Sequence, residues 1–457
     1  MRKSYLVLLL VAMFAITSCD YNDEQLVVNP AEQAEEAIIN GKVPFSRAIS
    51  NADFVFKNID GTSAKKRKVR SVDVLTRSNP NSKIVSTRSS SLSEDDMPLA
   101  YVVNYENNEG FAILAANTKL PPVISIGDEG NFDTEGFANF IQNNGATRSN
   151  SDLNPAQAVQ YAIISNSLVL PSVNIGSGTL VSGVDTTIML KCMPLVTTKW
   201  GQGSPYNYYS PMKSNNNGKC YAGCVPVAGA QTLASLCYHH NWRPTTQLSN
   251  TYTVDWYTIN RIIFANIIGF SSSDTSANAL AVASLIRAVG EDVDASYYDD
   301  RTSAHTKNLK KTFDRLGMED TEYGNENTRP SVTINDVFST LFTRNYPVIV
   351  RADDSYASSG GHAFIFDGWL RIEYNLLANI PMEGMPEISR PDNTQIQFDL
   401  VHLNLGWYGC ADGYYLPDAI NLTEDKYYEY AENNDIAVPQ PYIYNLGIHY
   451  LIIYRLF

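Results

Sequence analysis

The chain has 457 residues, of which 44% are hydrophobic and 18% are charged, so it can form packed cores in two or three domains. Its formal net charge is −14, and an acidic chain is a poor candidate for nucleic-acid binding because phosphate neutralisation needs a basic face. The negative charge supports solubility and says little about the fold.

The first residues have the pattern of an export signal: two basic residues, then an apolar run over 5–16 that is short for a membrane span of about 20 residues. The segment Ile16–Cys19 resembles a bacterial lipobox, which predicts a lipoprotein signal peptide at 1–18 and lipidation of Cys19. Two acyl chains suffice for anchoring, so we expect an exported protein on a bacterial membrane, in particular the outer membrane. Acidic residues follow Cys19 and resemble a surface-export signal, so cell-surface exposure or release of the mature form is left open. An ordinary signal peptide with an incidental cysteine is the alternative.

Residues 19–190 are predicted to form an α+β unit that precedes a second domain. The basic stretch 65–70 indicates an exposed loop in an acidic exported chain, the polar stretch 143–155 a further loop, and the Gly/Ser-rich stretch 171–186 a linker. Hydrophobic periodicity and turn residues predict a helical stretch at 31–39, a hairpin with strands 100–105 and 111–116, a strand at 123–126, a short helix around 137–141 and a helix at 156–168.

Residues 191–457 are predicted to form the second domain, which contains all five tryptophans. Its pattern predicts a helix from Cys224 to about Tyr238 and then strands at 347–352, 362–369, 398–405 and 443–454. A helical part followed by a strand-rich part indicates the α+β class.

Cys224 is the candidate nucleophile. Of six cysteines an odd number remains once Cys19 is lipidated, so at least one thiol stays free unless two chains pair. Cys224 begins the predicted helix, where the helix dipole favours a thiolate, and Gly223 allows close approach of a substrate backbone. Cys220 lies in a polar loop, and Cys237 lies at the end of the helix where the dipole has the wrong sign. A buried structural cysteine is the alternative for Cys224.

His362 is the candidate general base. It follows the small residues Ser358–Gly361 and opens a predicted strand, which leaves room for a substrate beside the imidazole. His239 and His240 lie near the far end of the Cys224 helix. Together with Cys237 they could form part of a metal site, but the sequence contains no second cluster of ligands, so no metal site is predicted. A strand-edge histidine without a role is the alternative for His362.

Asn404 is the candidate for orienting that imidazole. Its amide oxygen can accept the imidazole N–H without adding charge, and Trp407 can shelter the hydrogen bond from water. A structural asparagine at the end of a strand is the alternative.

Four short motifs follow one another in the second domain: Trp200–Asn207, Gly223–Val225, Gly360–Phe364 with Asp367–Gly368, and Asn404–Trp407 with Asp412–Gly413. Upstream, the segment 101–133 includes Gly110–Ala116 and Leu120–Val123. Taken in order, the four motifs resemble the streptopain family of cysteine peptidases, and the upstream segment resembles that family's propeptide.

The resemblance implies a papain-like cysteine peptidase fold, with a helical part and an antiparallel sheet part, behind an α+β prodomain that inhibits until it is removed. It implies endopeptidase activity on protein and peptide substrates, with no cofactor. It makes Cys224 the nucleophile, His362 the general base and Asn404 its orienting residue. Gln202 would donate to the oxyanion beside the Cys224 backbone N–H. The same resemblance places substrate against the following residues: Gly223, Gly361 and Trp407.

Two positions depart from the family pattern. Pro226 stands where a small residue is usual, and Leu405 stands where a tryptophan is usual. The loss of aromatic shelter at Leu405 keeps open a catalytically weakened surface binding or inhibitor protein on the same scaffold. A cysteine amidase that acts on cell-wall peptides is a further alternative, because its catalytic residues would look the same.

Overall fold

The computed structural model describes residues 42–61, 66–76, 82–83, 98–117, 120–142, 154–168, 170, 179–181, 186–244, 247–325, 328–329, 332–352, 361–379, 393–420 and 448–456. The predicted signal peptide, Cys19, the helical stretch at 31–39 and most of the loop at 143–155 lie outside these residues. The described residues all belong to one compact unit.

The N-terminal part, residues 42–181, contains three α-helices and six strands among its described residues. In chain order they are α1 (Phe45–Asp60), β1 (Val69–Thr76), β2 (Ser82–Lys83), β3 (Pro98–Tyr105), β4 (Phe111–Ala115), β5 (Val123–Gly127), α2 (Thr134–Gln142), α3 (Pro155–Ser167) and β6 (Thr179–Val181).

The C-terminal part, residues 186–456, begins with a strand, continues with helices and ends with strands. Its elements are β7 (Thr186–Cys192), α4 (Cys224–His239), α5 (Trp256–Phe264), α6 (Ala277–Asp292), β8 (Ser296–Tyr297), β9 (Thr302–Ser303), α7 (Lys307–Arg315), β10 (Met318–Glu319), β11 (Glu322–Gly324), α8 (Ile334–Ser339), β12 (Val348–Ala352), β13 (His362–Asn379), β14 (Asn393–Asn404), β15 (Gly413–Tyr415), α9 (Pro417–Ile420), β16 (His449–Ile452) and β17 (Arg455–Leu456).

One antiparallel sheet of thirteen strands, counted over the described residues, runs through both parts. Its order is β11-β16-β12-β13-β14-β15-β5-β4-β3-β1-β2, and β6 and β7 also pair with β13. The two parts join where β15 pairs with β5, with Tyr414 opposite Ile126 and Tyr415 opposite Ser125. The backbone hydrogen bonds of that pair cover strand edges that would otherwise be open.

The described residues form two hydrophobic cores, which lie on opposite faces of β12 and β13. One is continuous across both parts and includes Ile126 and Phe137 from the N-terminal part and Tyr414 from the C-terminal part. The other surrounds α4, whose residues from Val225 to Cys237 are all buried. A helix that is buried on all sides is held in place by packing on all sides, so the residue at its start is fixed with it.

The α+β class predicted from the sequence is confirmed, and the hairpin β3–β4, the helix α3 and the helix α4 lie where the pattern places them. Asn154 and Gln157 form a capping box at the start of α3, which is why that helix begins at Pro155. The linker predicted over 171–186 is wrong in part, because Thr179–Val181 and the strand that starts at Thr186 pair with β13. Short Thr- and Val-containing stretches become strands when a long neighbouring strand offers them a free edge. No described helix is long and apolar enough to cross a membrane.

Candidate active site

Cys224 is the first residue of α4, and its side chain is half-buried. The N-cap Gly223 has φ +97°, and a Cβ there would lie 2.8 Å from Cγ2 of Thr302, so the turn into the helix requires glycine. The backbone N–H groups of Val225 and Ala363 donate to the sulfur, and the His362 side chain is hydrogen-bonded to it. The structure therefore brings together the two residues proposed from the sequence as nucleophile and base.

The charge state of Cys224 follows from these contacts. Burial raises the pKa of the thiol, but the hydrogen bond and charge of His362 and the two backbone donors lower it, and the net pKa lies below its ordinary value. A lowered pKa increases the thiolate population at neutral pH, and the thiolate is the nucleophilic form.

His362 opens β13 and is 4% exposed. Its ring lies nearly parallel to that of Phe364, with ring centroids 6.1 Å apart. Its Nε2 lies 2.8 Å from the backbone carbonyl oxygen of Leu405, so Nε2–H donates to that carbonyl and Nδ1 is the nitrogen left for the sulfur. The carbonyl thus fixes the tautomer that a base for Cys224 needs.

Asn404, expected to contact the imidazole, contacts other groups instead. Its Nδ2 donates to the Thr198 carbonyl at 2.8 Å, and its Oδ1 accepts from Gln231 Nε2 at 2.9 Å and from the Gly406 N–H at 3.2 Å. The expected direct bond is therefore wrong in this structure. The physical reason is the tight turn after β14, which places the Leu405 carbonyl on the ring and leaves the amide against α4.

Asn404 nevertheless reaches the imidazole through one peptide unit. The Gly406 N–H that it accepts and the Leu405 carbonyl that receives His362 belong to the same planar peptide group. Fixing one end of that plane fixes the other.

Gln202, the predicted oxyanion donor, is 6% exposed and precedes the helix in the loop from Trp200. Its backbone carbonyl accepts the Ala222 N–H at 2.7 Å, which ties this loop to the segment that leads into Cys224. Tyr408 packs against the same loop, because a Cβ on Gly201 would lie 2.5 Å from the Tyr408 ring.

The two other predicted substrate contacts are Gly361 and Trp407. Gly361 directly precedes His362 and is half-buried. Trp407 is half-buried and lies beside Tyr221 and Tyr408, with ring centroids 5.9 and 6.3 Å away. Among the described residues, no group of three or more acidic, histidine or cysteine side chains could hold a metal ion.

His402 and its partners were missed in the sequence. His402 lies in β14, is 3% exposed, and has Nδ1 2.6 Å from Asp367 and Nε2 2.8 Å from Asp128. Asp128 follows β5 in the N-terminal part, so this buried group joins the two parts. The position of His402 in an apolar strand, two residues before Asn404, was a usable signal, whereas the distant Asp128 offered none.

The pKa values in this cluster shift in different directions. Burial alone would lower the pKa of His402, but the carboxylates of Asp367 and Asp128 raise it well above 6.5. Burial raises the pKa of Asp367, whereas for Asp128 the charge and hydrogen bond of His402 outweigh burial and lower it. Burial raises the pKa of Asp412, which adjoins the cluster, to about 7.

These shifts predict that the full-length chain loses stability as the pH rises from about 5 to 8. Asp412 has a raised folded pKa, so its contribution is complete below pH 3.8 and is lost up to about pH 7. A shift of that size corresponds to about 4 kcal/mol. The pKa of His402 is also raised, so the loss of stability continues above pH 6.5. The pKa of Asp128 is lowered instead, so its contribution to stability is present above pH 3.8 and is lost only as the pH falls below that value.

Urea unfolding of the Cys224→Ala protein at pH 5 and pH 8 measures this effect without self-digestion. The midpoint should be lower at pH 8, and Asp412→Asn in the same background should reduce the difference. An identical pH dependence with and without Asp412 would contradict the assignment.

Two family models match the chain. Residues 200–415 match the Peptidase C10 family, and residues 46–143 match the Spi protease inhibitor. Streptopains of Streptococcus pyogenes, including those of serotypes M28 and M1, are 21% identical to the chain over 348 residues, which is 70% of this chain and 74% of each relative.

Among solved structures, a prointerpain A fragment of Prevotella intermedia has a TM-score of 0.47 and 19% identity, with 77% of this chain and 94% of that chain covered. Active interpain A of the same organism has a TM-score of 0.38 and 23% identity, with 58% and 95% covered. Residues 200–415 are thus similar to the Peptidase C10, or streptopain, family, and the chain is a cysteine-type endopeptidase with an N-terminal propeptide domain of the Spi inhibitor type.

Proposed function

We propose that Cys224 and His362 hydrolyse peptide bonds as a thiolate–imidazolium pair. The observation that carries this proposal is the Cys224 thiol at the start of α4, hydrogen-bonded to His362, whose Nε2 is held by the Leu405 carbonyl. The helix N-terminus and the backbone donors at the sulfur favour the charged form that attacks.

The reaction then follows in two halves. The thiolate attacks the scissile carbonyl, and the oxyanion accepts hydrogen bonds from the Cys224 N–H and the Gln202 side chain. The imidazolium of His362 donates its proton to the leaving amine, and a thioester remains on Cys224. His362 then takes a proton from water as the water attacks the thioester, which releases the acid and restores the thiol pair.

Substrate is proposed to lie against the two glycines and one tryptophan at this site, Gly223, Gly361 and Trp407. Both glycines lie next to the reacting side chains, so a substrate backbone can approach there without meeting a Cβ. Labelling with a thiol-reactive epoxide, combined with peptide hydrolysis by Cys224 variants, tests the assignment of the pair.

The departure at Leu405 does not favour the weakened-protein alternative. Leu405 contributes its backbone carbonyl to the imidazole, and any residue there supplies that group. Pro226 is the third residue of α4, where the missing N–H would have no partner within the helix.

We also propose that the N-terminal part keeps the precursor latent. Strand β5 extends the catalytic sheet at β15, Asp128 pairs with His402, and Glu129 pairs with Lys199 at 2.5 Å. Lys199 directly precedes the loop that carries Gln202. These contacts attach the N-terminal part to the catalytic part through a shared sheet and core.

The mature chain is proposed to be exported and anchored through Cys19. Cys19→Ser should move the protein from the membrane fraction to the soluble fraction, because acyl chains could not be attached. Fractionation of expressing cells measures this, with Cys220→Ser as the matched control that should stay in the membrane fraction. Membrane association of the Cys19→Ser protein would contradict the anchor.

A further inference from the structure

The turn that follows β14 holds the Leu405 carbonyl against His362. Four residues of this turn have positive φ: Gly406, Tyr408, Gly409 and Ala411. Two of them are not glycine, and such residues persist in this region only when the surroundings hold them.

Asp412 closes this turn onto its own beginning. It is 3% exposed, and its Oδ1 accepts the Leu405 N–H at 2.7 Å. The Asp412 N–H donates to the Gly409 carbonyl at 3.2 Å. Its carboxyl therefore spans the turn and holds the residue whose carbonyl contacts the imidazole.

Leu405 is thus held on both sides. On one side, Asp412 accepts a hydrogen bond from the Leu405 N–H. On the other side, Asn404 accepts one from the Gly406 N–H, which lies in the same peptide plane as the Leu405 carbonyl. The carbonyl in that second plane lies 2.8 Å from His362 Nε2.

We propose that Asp412 is a positioning residue for peptide hydrolysis, which aligns His362 with Cys224 through the backbone of Leu405. The inference rests on the proposed pair of Cys224 and His362. Asp412 does not touch the reacting atoms. Its loss would let the turn relax and the carbonyl move, and a displacement of about 1 Å at a catalytic group can reduce the rate roughly 10²-fold.

The alternative is that Asp412 only stabilises the fold as one member of a buried charged group. His402, Asp128 and Asp367 all act on its charge. Asp367 provides the matched control, since it is fully buried in the same group but bonds to the Val196 N–H and His402 instead of to Leu405.

The experiment uses the full-length chain with Asp412→Ala, Asp412→Asn or Asp367→Asn. After processing by a trace of wild-type enzyme, kcat and KM are measured on a peptide substrate. Alkylation of Cys224 by iodoacetamide, located by mass spectrometry, is followed against pH. We expect Asp412→Ala to lower kcat about 10- to 100-fold with KM nearly unchanged, and to shift alkylation to higher pH.

Asp412→Asn keeps an oxygen acceptor and should recover kcat to within about threefold of wild type, and Asp367→Asn should keep wild-type kcat per titrated active site. Wild-type kcat and alkylation in Asp412→Ala, no recovery in Asp412→Asn, or an equal loss in Asp367→Asn would each overturn the proposal. If the alanine variant does not fold, Asp412→Ser, whose hydroxyl is too short to reach, replaces it. Activity of Cys224→Ala above that of the added wild-type trace would instead overturn the pair itself.

Discussion

Replacement of Cys224 by alanine is expected to lower kcat by roughly 10⁶, because a thiol or hydroxyl nucleophile and its base act as one unit. His362→Ala should be comparably severe, since the thiolate would lose the hydrogen bond that lowers its pKa and the leaving amine would lose its proton donor. Peptide hydrolysis, corrected for the folded fraction from circular dichroism, measures both.

Cys237→Ala is the matched control for this experiment. The residue is a buried cysteine in the same helix, at its other end, and burial raises the pKa of its thiol to about 12. Its replacement should leave kcat unchanged. Gln202→Ala should fall between the two, with kcat reduced roughly 10²–10³-fold and little change in KM. Turnover by Cys224→Ala close to that of the Cys237 control would remove Cys224 from the mechanism.

The uncleaved chain is expected to be nearly inactive, and cleavage between about 143 and 191 should raise activity by at least about 10²-fold. The N-terminal part is held beside the catalytic part at high effective concentration while the chain is intact, and cleavage ends that advantage. Cleavage before Thr186 would keep β7 paired with β13 in the catalytic part. Initial rates of uncleaved and cleaved protein, with electrophoresis to verify each state, measure the difference.

A single variant tests which contact holds the N-terminal part. Asp128→Ala leaves the buried His402 with one carboxylate instead of two, and breaking a buried pair in this way costs about 3–5 kcal/mol. The uncleaved Asp128→Ala chain should therefore show higher activity than the uncleaved wild type. Asp60→Ala is the control, because its partner Arg67 lies in the same N-terminal part. Equal activity of uncleaved and cleaved wild-type chains would rule out latency. An equal effect of Asp128→Ala and Asp60→Ala on the uncleaved chain would mean that latency does not depend on the His402 contact.

Local patterns in the sequence were sufficient for the main elements and for the choice of Cys224 and His362 as the candidate pair. The spacing of apolar residues predicted the hairpin β3–β4 and the helix α4, because each pattern is visible within one short stretch of sequence. Cys224 was found because a helix N-terminus is a local feature with a known effect on a thiol. His362 was found because a small-residue loop before a strand is visible in one stretch of sequence.

Tertiary structure alone decided which groups complete the site. The contact of His362 with Leu405 depends on a backbone carbonyl, which every residue has and no residue type can signal. The pairing of Asp128 with His402 joins positions 274 residues apart, and the addition of β5 to β15 depends on two strand edges that meet only in the folded chain. Side-chain chemistry is encoded residue by residue, whereas backbone contacts and distant pairings are fixed only when the packed core brings the segments together.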